Sequence, residues 1–120
     1  MNKQANRVLR LGTRASALAL WQANYVRDAL LARHEGLAIE LVEITTEGDR
    51  ILDRPLNQVG GKGLFVNAIE DQLLAGSIDF AVHSMKDLPG REPEGLAIVC
   101  TPPRADARDV LVGPPGSRLA

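Results

Sequence analysis

The sequence predicts an α/β domain whose helices pack on a mostly parallel sheet. Two observations carry that expectation. Short apolar runs alternate with two segments of helical periodicity, and each helical segment stops at a glycine, Gly36 and Gly76. The resulting order of strand, helix, strand, loop, helix, strand, strand suits helices laid on a sheet.

Val8 to Gly12 reads as the first strand. Thr13-Arg14-Ala15-Ser16 leads into a helix from about Ala17 to His34, with Ser16 placed as its N-cap. Leu18, Trp21, Tyr25 and Ala29, with Val26 and Leu30, recur every three or four residues, which predicts one face packed on a core. Ile39 to Ile44 alternates apolar residues with Glu40 and Glu43 and reads as a second strand. The polar stretch from Glu47 to Val59 and the run Gly60-Gly61-Lys62-Gly63 are expected to form a mobile connection. Phe65, Ile69 and Leu73, at steps of four, mark the second helix. Ile78 to Val82 and Leu96 to Cys100 follow as strands, and Asp109 to Val112 reads as one more before the tail Gly113-Pro114-Pro115-Gly116.

The 120 residues are 45% hydrophobic and 24% charged, with a formal net charge of -1. That balance argues against a general nucleic-acid binder while leaving room for a local cationic pocket. No segment approaches the roughly 18 to 20 apolar residues that span a bilayer, and Met1 to Arg7 lacks a secretory apolar region, so a cytoplasmic location is expected. The single cysteine, Cys100, has no disulfide partner and no metal-ligand spacing. It is expected as a buried structural thiol, and no metal site is expected.

The chemistry-bearing segment is the end of the third strand-like apolar run. Phe80-Ala81-Val82 stops at His83-Ser84-Met85-Lys86-Asp87 and is closed by Leu88-Pro89. In open α/β sheets ligands collect at the carboxyl ends of strands, so this cluster falls where a site would form. Asp87, held before a proline, could move a proton or stabilise a cation, and Lys86 could bind acidic groups; a plain surface ion pair is the rival reading. Arg14 and Ser16 flank a helix start that favours anions, although Ser16 as a simple cap and Arg14 as a solvated cation fit the spacing equally. Gln22, six residues after Ser16, falls on another part of the helix surface and reads by periodicity as a solvated position. His83 suits a structural or a catalytic role. Gly60-Gly61-Lys62-Gly63 lacks the spacing and hydroxyl residue of a phosphate loop, and a flexible lid carrying Lys62 to an anion fits better.

Together, Leu11-Gly12-Thr13-Arg14-Ala15-Ser16, Leu18-Ala19-Leu20-Trp21-Gln22-Ala23, Gly48-Asp49, Ile51-Leu52-Asp53, Val59 to Phe65 and Ala81 to Pro89 resemble the porphobilinogen deaminase (hydroxymethylbilane synthase) family. The resemblance runs from about Leu9 to Val112. It implies a transferase of tetrapyrrole (heme) biosynthesis that condenses four porphobilinogen molecules head to tail, releases ammonia, and builds the chain on a covalent dipyrromethane cofactor. It also implies a periplasmic-binding-protein-like lobe, with residues 1–101 as an N-terminal domain and 102–120 as a hinge and the start of a second. By resemblance Asp87 is the catalytic carboxylate. Arg14, Ser16, Ser84 and Lys86 match positions that hold acetate and propionate groups. Gln22, Lys62 and Phe65 match positions near the substrate or on the mobile loop, and His83 matches a pocket residue of open role.

The family's cofactor cysteine and an arginine cluster are expected outside these 120 residues, and Cys100 does not match the attachment motif. Gln58 stands where many relatives carry a lysine. The chain alone is therefore expected to be an inactive N-terminal portion of a protein that is monomeric at full length, with porphobilinogen and the growing polypyrrole as ligands and neither nucleic acid nor membrane as partner. The alternative reading is a non-catalytic small-anion module of the solute-binding type.

Overall fold

The computed structural model of the protein describes residues 8–51 and 63–118. Strand β1 (Val8–Thr13) leads through helix α1 (Ala17–Arg33) to β2 (Ala38–Glu43). A single-turn helix α2 (Glu47–Arg50), helix α3 (Asn67–Ala75), strand β3 (Phe80–Ala81) and a 3-10 turn at Met85–Asp87 follow. The strands form one sheet in the order β2-β1-β3. Both pairings are parallel: Val8 to Thr13 sit opposite Ala38 to Glu43, and Leu11 and Gly12 sit opposite Phe80 and Ala81. The α/β architecture with a parallel sheet is thus the one the element order predicts. The lid segment containing Gln58, Gly60, Gly61 and Lys62 lies outside the described residues.

Parallel neighbours need crossovers, and α1 and α3 supply the helical part of them. The Ser16 hydroxyl accepts the Ala19 N–H at 3.3 Å and starts α1, as its position predicts. Gly36, just past α1, has φ of 77°. Gly76 ends α3 with φ of 80°, and its N–H bonds back to the Gln72 and Leu73 carbonyls. Only glycine adopts that left-handed backbone without a Cβ penalty.

The core contains Ile44, Ile69 and Ile78, with Val42, Ala68, Leu73 and Ala81 packed against them. Leu11, Ala23 and Val66 are also fully buried. Gly12 lies at the centre of this layer because any Cβ there would overlap the Ile78 Cδ1 and come within 3.2 Å of the Ile44 Cδ1.

Four expectations are corrected. The face of α1 turned to the sheet centres on Ala23 with partly buried Ala19, Val26 and Leu30, whereas Leu18, Trp21, Tyr25 and Ala29 are exposed. Trp21 and Tyr25 instead stack on each other at 5.7 Å on the outer surface. A small residue at the contact lets the helix approach the sheet, which the aromatic face would prevent. The expected strand Ile78 to Val82 shortens to Phe80–Ala81, flanked by bonds from Asp79 N–H to the Arg10 carbonyl at 2.9 Å and from Val82 N–H to the Gly12 carbonyl at 3.4 Å. Leu96 to Cys100 and Asp109 to Val112 are not strands: among the described residues neither has a ladder partner, and Val99, Val110 and Val112 are 91%, 83% and 91% exposed. Cys100 is accordingly exposed rather than buried. An apolar pattern marks a segment fit for a strand, but a strand forms only against a second backbone edge.

No helix among the described residues is long and apolar enough to cross a membrane. The tight seat of Gly12 gives a direct check. Gly12→Ala is expected to lower unfolding stability by about 1–3 kcal/mol through overpacking against Ile78, read as a fall in the urea midpoint. An unchanged midpoint would show that β1 and Ile78 are not in contact.

Candidate functional site

The crossover from β1 runs to β2 on one side, and the crossover from β2 passes back beyond β1 to β3 on the other, so the strand order reverses between β1 and β3. The crevice at the carboxyl ends of two such strands is where open α/β sheets bind ligands. The chain leaving β1 carries Arg14 and Ser16, and the chain leaving β3 carries His83, Ser84, Lys86 and Asp87. These six residues, with Gln22 from α1 and Phe65 from the segment before α3, line one cleft of about 310 Å³. Leu18, Ala19 and Val82 complete its wall. Of the candidate site residues, Lys62 is not placed, since it lies outside the described residues.

Arg14 is the most constrained of them. Its Nε donates to both carboxylate oxygens of Asp49, at 3.1 and 3.2 Å, and its Nη2 donates to Asp49 Oδ1 at 2.5 Å. On the other side, Nη1 lies 3.9 Å from Asp87 Oδ2. The guanidinium carbon sits 4.1 Å from the Phe65 ring centroid, a cation-π arrangement. A bidentate, charge-assisted contact is worth more than an ion pair at 3.9 Å, about 1.5–3 against 0–1 kcal/mol in general. Asp49 therefore sets the orientation of Arg14, and Asp87 receives what is left of its field. The contact raises the Arg14 pKa, and the hydrogen bond from Arg14 holds the Asp49 carboxyl below its ordinary range against the opposing effect of burial.

Asp49 was not singled out as a site residue by sequence reasoning. Its signal was local: Thr46 and Asp49 have the spacing of a capping box. The Thr46 hydroxyl donates to Asp49 Oδ2 at 2.8 Å and accepts the Asp49 N–H at 3.3 Å, and the Thr46 N–H donates to the same carboxylate oxygen at 3.3 Å. Gly48, one residue earlier, is buried under Phe65, whose ring atoms would lie 2.5 to 2.8 Å from any Cβ at that position. The Gly48 N–H also donates to the Leu64 carbonyl at 2.8 Å, tying α2 to the approach to α3.

The remaining groups fall into place around this pair. Ser16 caps α1, and its side chain faces the same cleft, so the capping and anion-binding readings are compatible. The Ser84 hydroxyl donates to Gln22 Oε1 at 3.1 Å, which turns Gln22 inward from the solvated position that periodicity predicts. The 3-10 turn, closed by Asp87 N–H to the Ser84 carbonyl at 3.0 Å, aims the Asp87 carboxylate back at Arg14. Its ion-pair partner is thus Arg14 rather than the neighbouring Lys86. Asp87 also borders a second, shallower depression formed by Gly63, Leu88, Pro89, Gly90 and Arg91. His83 is partly buried, and that burial lowers its pKa, with Asp87 opposing the shift and Arg14 adding to it.

A family model described as "Porphobilinogen deaminase, dipyromethane cofactor binding domain" matches residues 9–120. The chain belongs to the porphobilinogen deaminase family. It is 61% identical over 112 residues to the porphobilinogen deaminase of Syntrophotalea carbinolica, covering 93% of this chain and 36% of that protein. With the porphobilinogen deaminase of Geobacter metallireducens it shares 59% identity over 108 residues, 90% of this chain and 34% of that protein. With that of Pelobacter propionicus it shares 54% over 121 residues, 94% and 39%. The chain thus spans about a third of the length of the curated relatives it matches.

A dipyrromethane carries acidic side chains on pyrrole rings with N–H donors. The donor set here fits such a group in kind: Lys86, Ser16, Ser84 and the start of α1 offer cationic or N–H and O–H partners for carboxylates, and Asp87 offers an acceptor for pyrrole N–H. The cleft volume lies at the lower end of the roughly 300–1,000 Å³ usual for small-molecule sites.

His83 provides a pH test. A depressed imidazole is neutral in the folded state, so its contribution to stability is full above the ordinary value of about 6.5 and is lost as pH falls from there toward the folded value. NMR titration of the His83 ring is expected to give a midpoint below about 6.5, and His83→Gln to flatten the dependence of stability on pH just below that value. A midpoint at or above the ordinary value would contradict the burial described.

Proposed function

We propose that the whole protein to which this chain belongs carries out the stepwise head-to-tail condensation of four porphobilinogen molecules to hydroxymethylbilane, with Asp87 as its catalytic carboxylate. Family membership supports the pathway. The observation that supports the catalytic assignment is that Asp87 lines the same cleft as Arg14, with its Oδ2 3.9 Å from Arg14 Nη1.

In this reading Asp87 gives a proton to the aminomethyl nitrogen of porphobilinogen. The carbon–nitrogen bond breaks, ammonia leaves, and the ring is left as an azafulvene-like cation beside the newly formed carboxylate. Asp87 stabilises that charge and is returned to its acid form by the proton the condensation releases. Lys86, Arg14, Ser16 and Ser84 hold acetate and propionate groups of the ligands, so that the reacting carbon is presented to Asp87. Gln22 fixes Ser84, Phe65 covers Arg14, and His83, neutral in its partly buried position, contributes a hydrogen-bonding wall. Lys62 on the lid adds a further cation. The dipyrromethane, when bound, supplies the pyrrole carbon to which the first unit is joined.

The rest of the proposal follows the family resemblance. Residues 1–101 form a periplasmic-binding-protein-like lobe and 102–120 a hinge leading into a second domain. The dipyrromethane is attached to a cysteine outside these 120 residues, not to Cys100. The full-length protein is a cytoplasmic monomer with no nucleic-acid or membrane partner, and the 120-residue chain alone does not turn over.

The test is made on the whole protein. Asp87→Asn is expected to lower ammonia release from porphobilinogen by on the order of 10²–10⁴-fold while porphobilinogen binding persists. Near-normal turnover in that variant would remove Asp87 from the mechanism. Binding of porphobilinogen without any ammonia release by the unsubstituted protein would instead favour the solute-binding reading.

A further inference from the structure

An arginine has two edges able to grip a carboxylate: the side edge, Nε with Nη2, and the end edge, Nη1 with Nη2. Asp49 occupies the side edge of Arg14 with both of its oxygens. The Nη1 corner is consequently the one that reaches toward Asp87. We propose that Asp49 is a positioning residue for the reaction: by gripping the side edge of Arg14 it presents the Nη1 corner to Asp87 and the cleft, and keeps Arg14 from closing onto Asp87 as a direct ion pair. The inference rests on the functional reading above.

The contacts of Asp49 exceed what a helix cap requires. Capping needs one acceptor oxygen, and Oδ2 already takes the Thr46 hydroxyl and N–H. The second oxygen, Oδ1, has the shortest contact with Arg14, at 2.5 Å. Gly48, the residue before it, seats the Phe65 ring that lies over the guanidinium, so two consecutive residues of α2 fix both the direction and the plane of Arg14.

The electrostatics give the arrangement its consequence. One cation faces two carboxylates, and the attraction between Arg14 and Asp87 rises as their separation falls from 3.9 Å toward contact. Without Asp49 the guanidinium is free to turn its full charge and both donors to Asp87. An Asp87 side chain locked in that pair is withdrawn from the leaving amine and out of line for proton transfer to it. Asp49 therefore acts on the chemistry through Arg14 while touching no reacting atom.

The discriminating variant is Asp49→Asn in the whole protein, because asparagine keeps a capping oxygen but loses the charge and the two-oxygen grip. The thermal midpoint is expected to fall by several degrees, as the loss of one charge-assisted contact requires, without loss of cooperative unfolding. The kcat for porphobilinogen is expected to fall roughly 10- to 10²-fold, by more than KM rises, with partial recovery in Asp49→Glu. The Arg14 Nε–H resonance, identified by its loss in Arg14→Lys, is expected to exchange faster with solvent than in the parent. Asp49→Asn should cost almost nothing further in an Arg14→Lys background, since the pair acts as a unit. An unchanged kcat in Asp49→Asn, or an equal loss with and without Arg14, overturns the positioning role while leaving the proposed function standing. Absence of turnover in the unsubstituted protein overturns the function itself, and the positioning role with it.

Discussion

A strand that pairs in parallel on both edges cannot reach either neighbour by a hairpin, and β1 is such a strand. Parallel pairing with β2 and β3 forces each connection to leave the sheet at a strand's carboxyl end and re-enter at the opposite end, so the carboxyl ends of β1 and β3 come to lie side by side. The rest of the molecule answers this demand. Ala23 lets α1 lie close over the sheet, and the absence of a side chain at Gly12 lets Ile78 and Ile44 meet across β1. The cleft is the space left where two chains emerge together from adjacent strand ends.

Into that space the fold brings the Arg14 guanidinium and the Asp87 carboxylate, with Asp49 holding Arg14. Asp49 is delivered by a single turn of helix that Thr46 initiates, Asp87 by a 3-10 turn after β3, and Arg14 by the turn between β1 and α1. Each local structure is short and weak alone. Phe65, pressed on Gly48 and over Arg14, ties the approach to α3 to the same centre. A cation with two acids is an unequal balance, and an anionic ligand adds to the negative side. Lys86 and the start of α1 are the groups that offset it, which is the physical reason for cationic neighbours around an acidic pair.

Much of this was readable from residue order. Ser16 as a cap, Gly36 and Gly76 as helix ends, and the polar cluster after Val82 at a strand's carboxyl end depend on local backbone chemistry, which sequence displays directly. The orientation of α1 did not. Leu18, Trp21 and Tyr25 form the more apolar stripe, yet Ala23 faces the sheet, because packing selects by shape and approach distance as well as by hydrophobicity. Leu96 to Cys100 and Asp109 to Val112 have the composition of strands without, among the described residues, an edge to pair with, and Cys100 is exposed with them.

By itself the sequence determined the class of the fold, the cap of α1 and the glycine stops of the two longer helices, and the family, because each is written in neighbouring positions or in ordered motifs. Only the tertiary structure decided how those residues are partnered. Asp49 grips Arg14 across 35 positions, and Ser84 turns Gln22 inward across 62. Such contacts are made by the parallel crossovers, which no local pattern specifies. Asp87 was visible as an acid after a strand; that its counter-charge is an arginine already oriented by another aspartate followed from the sheet.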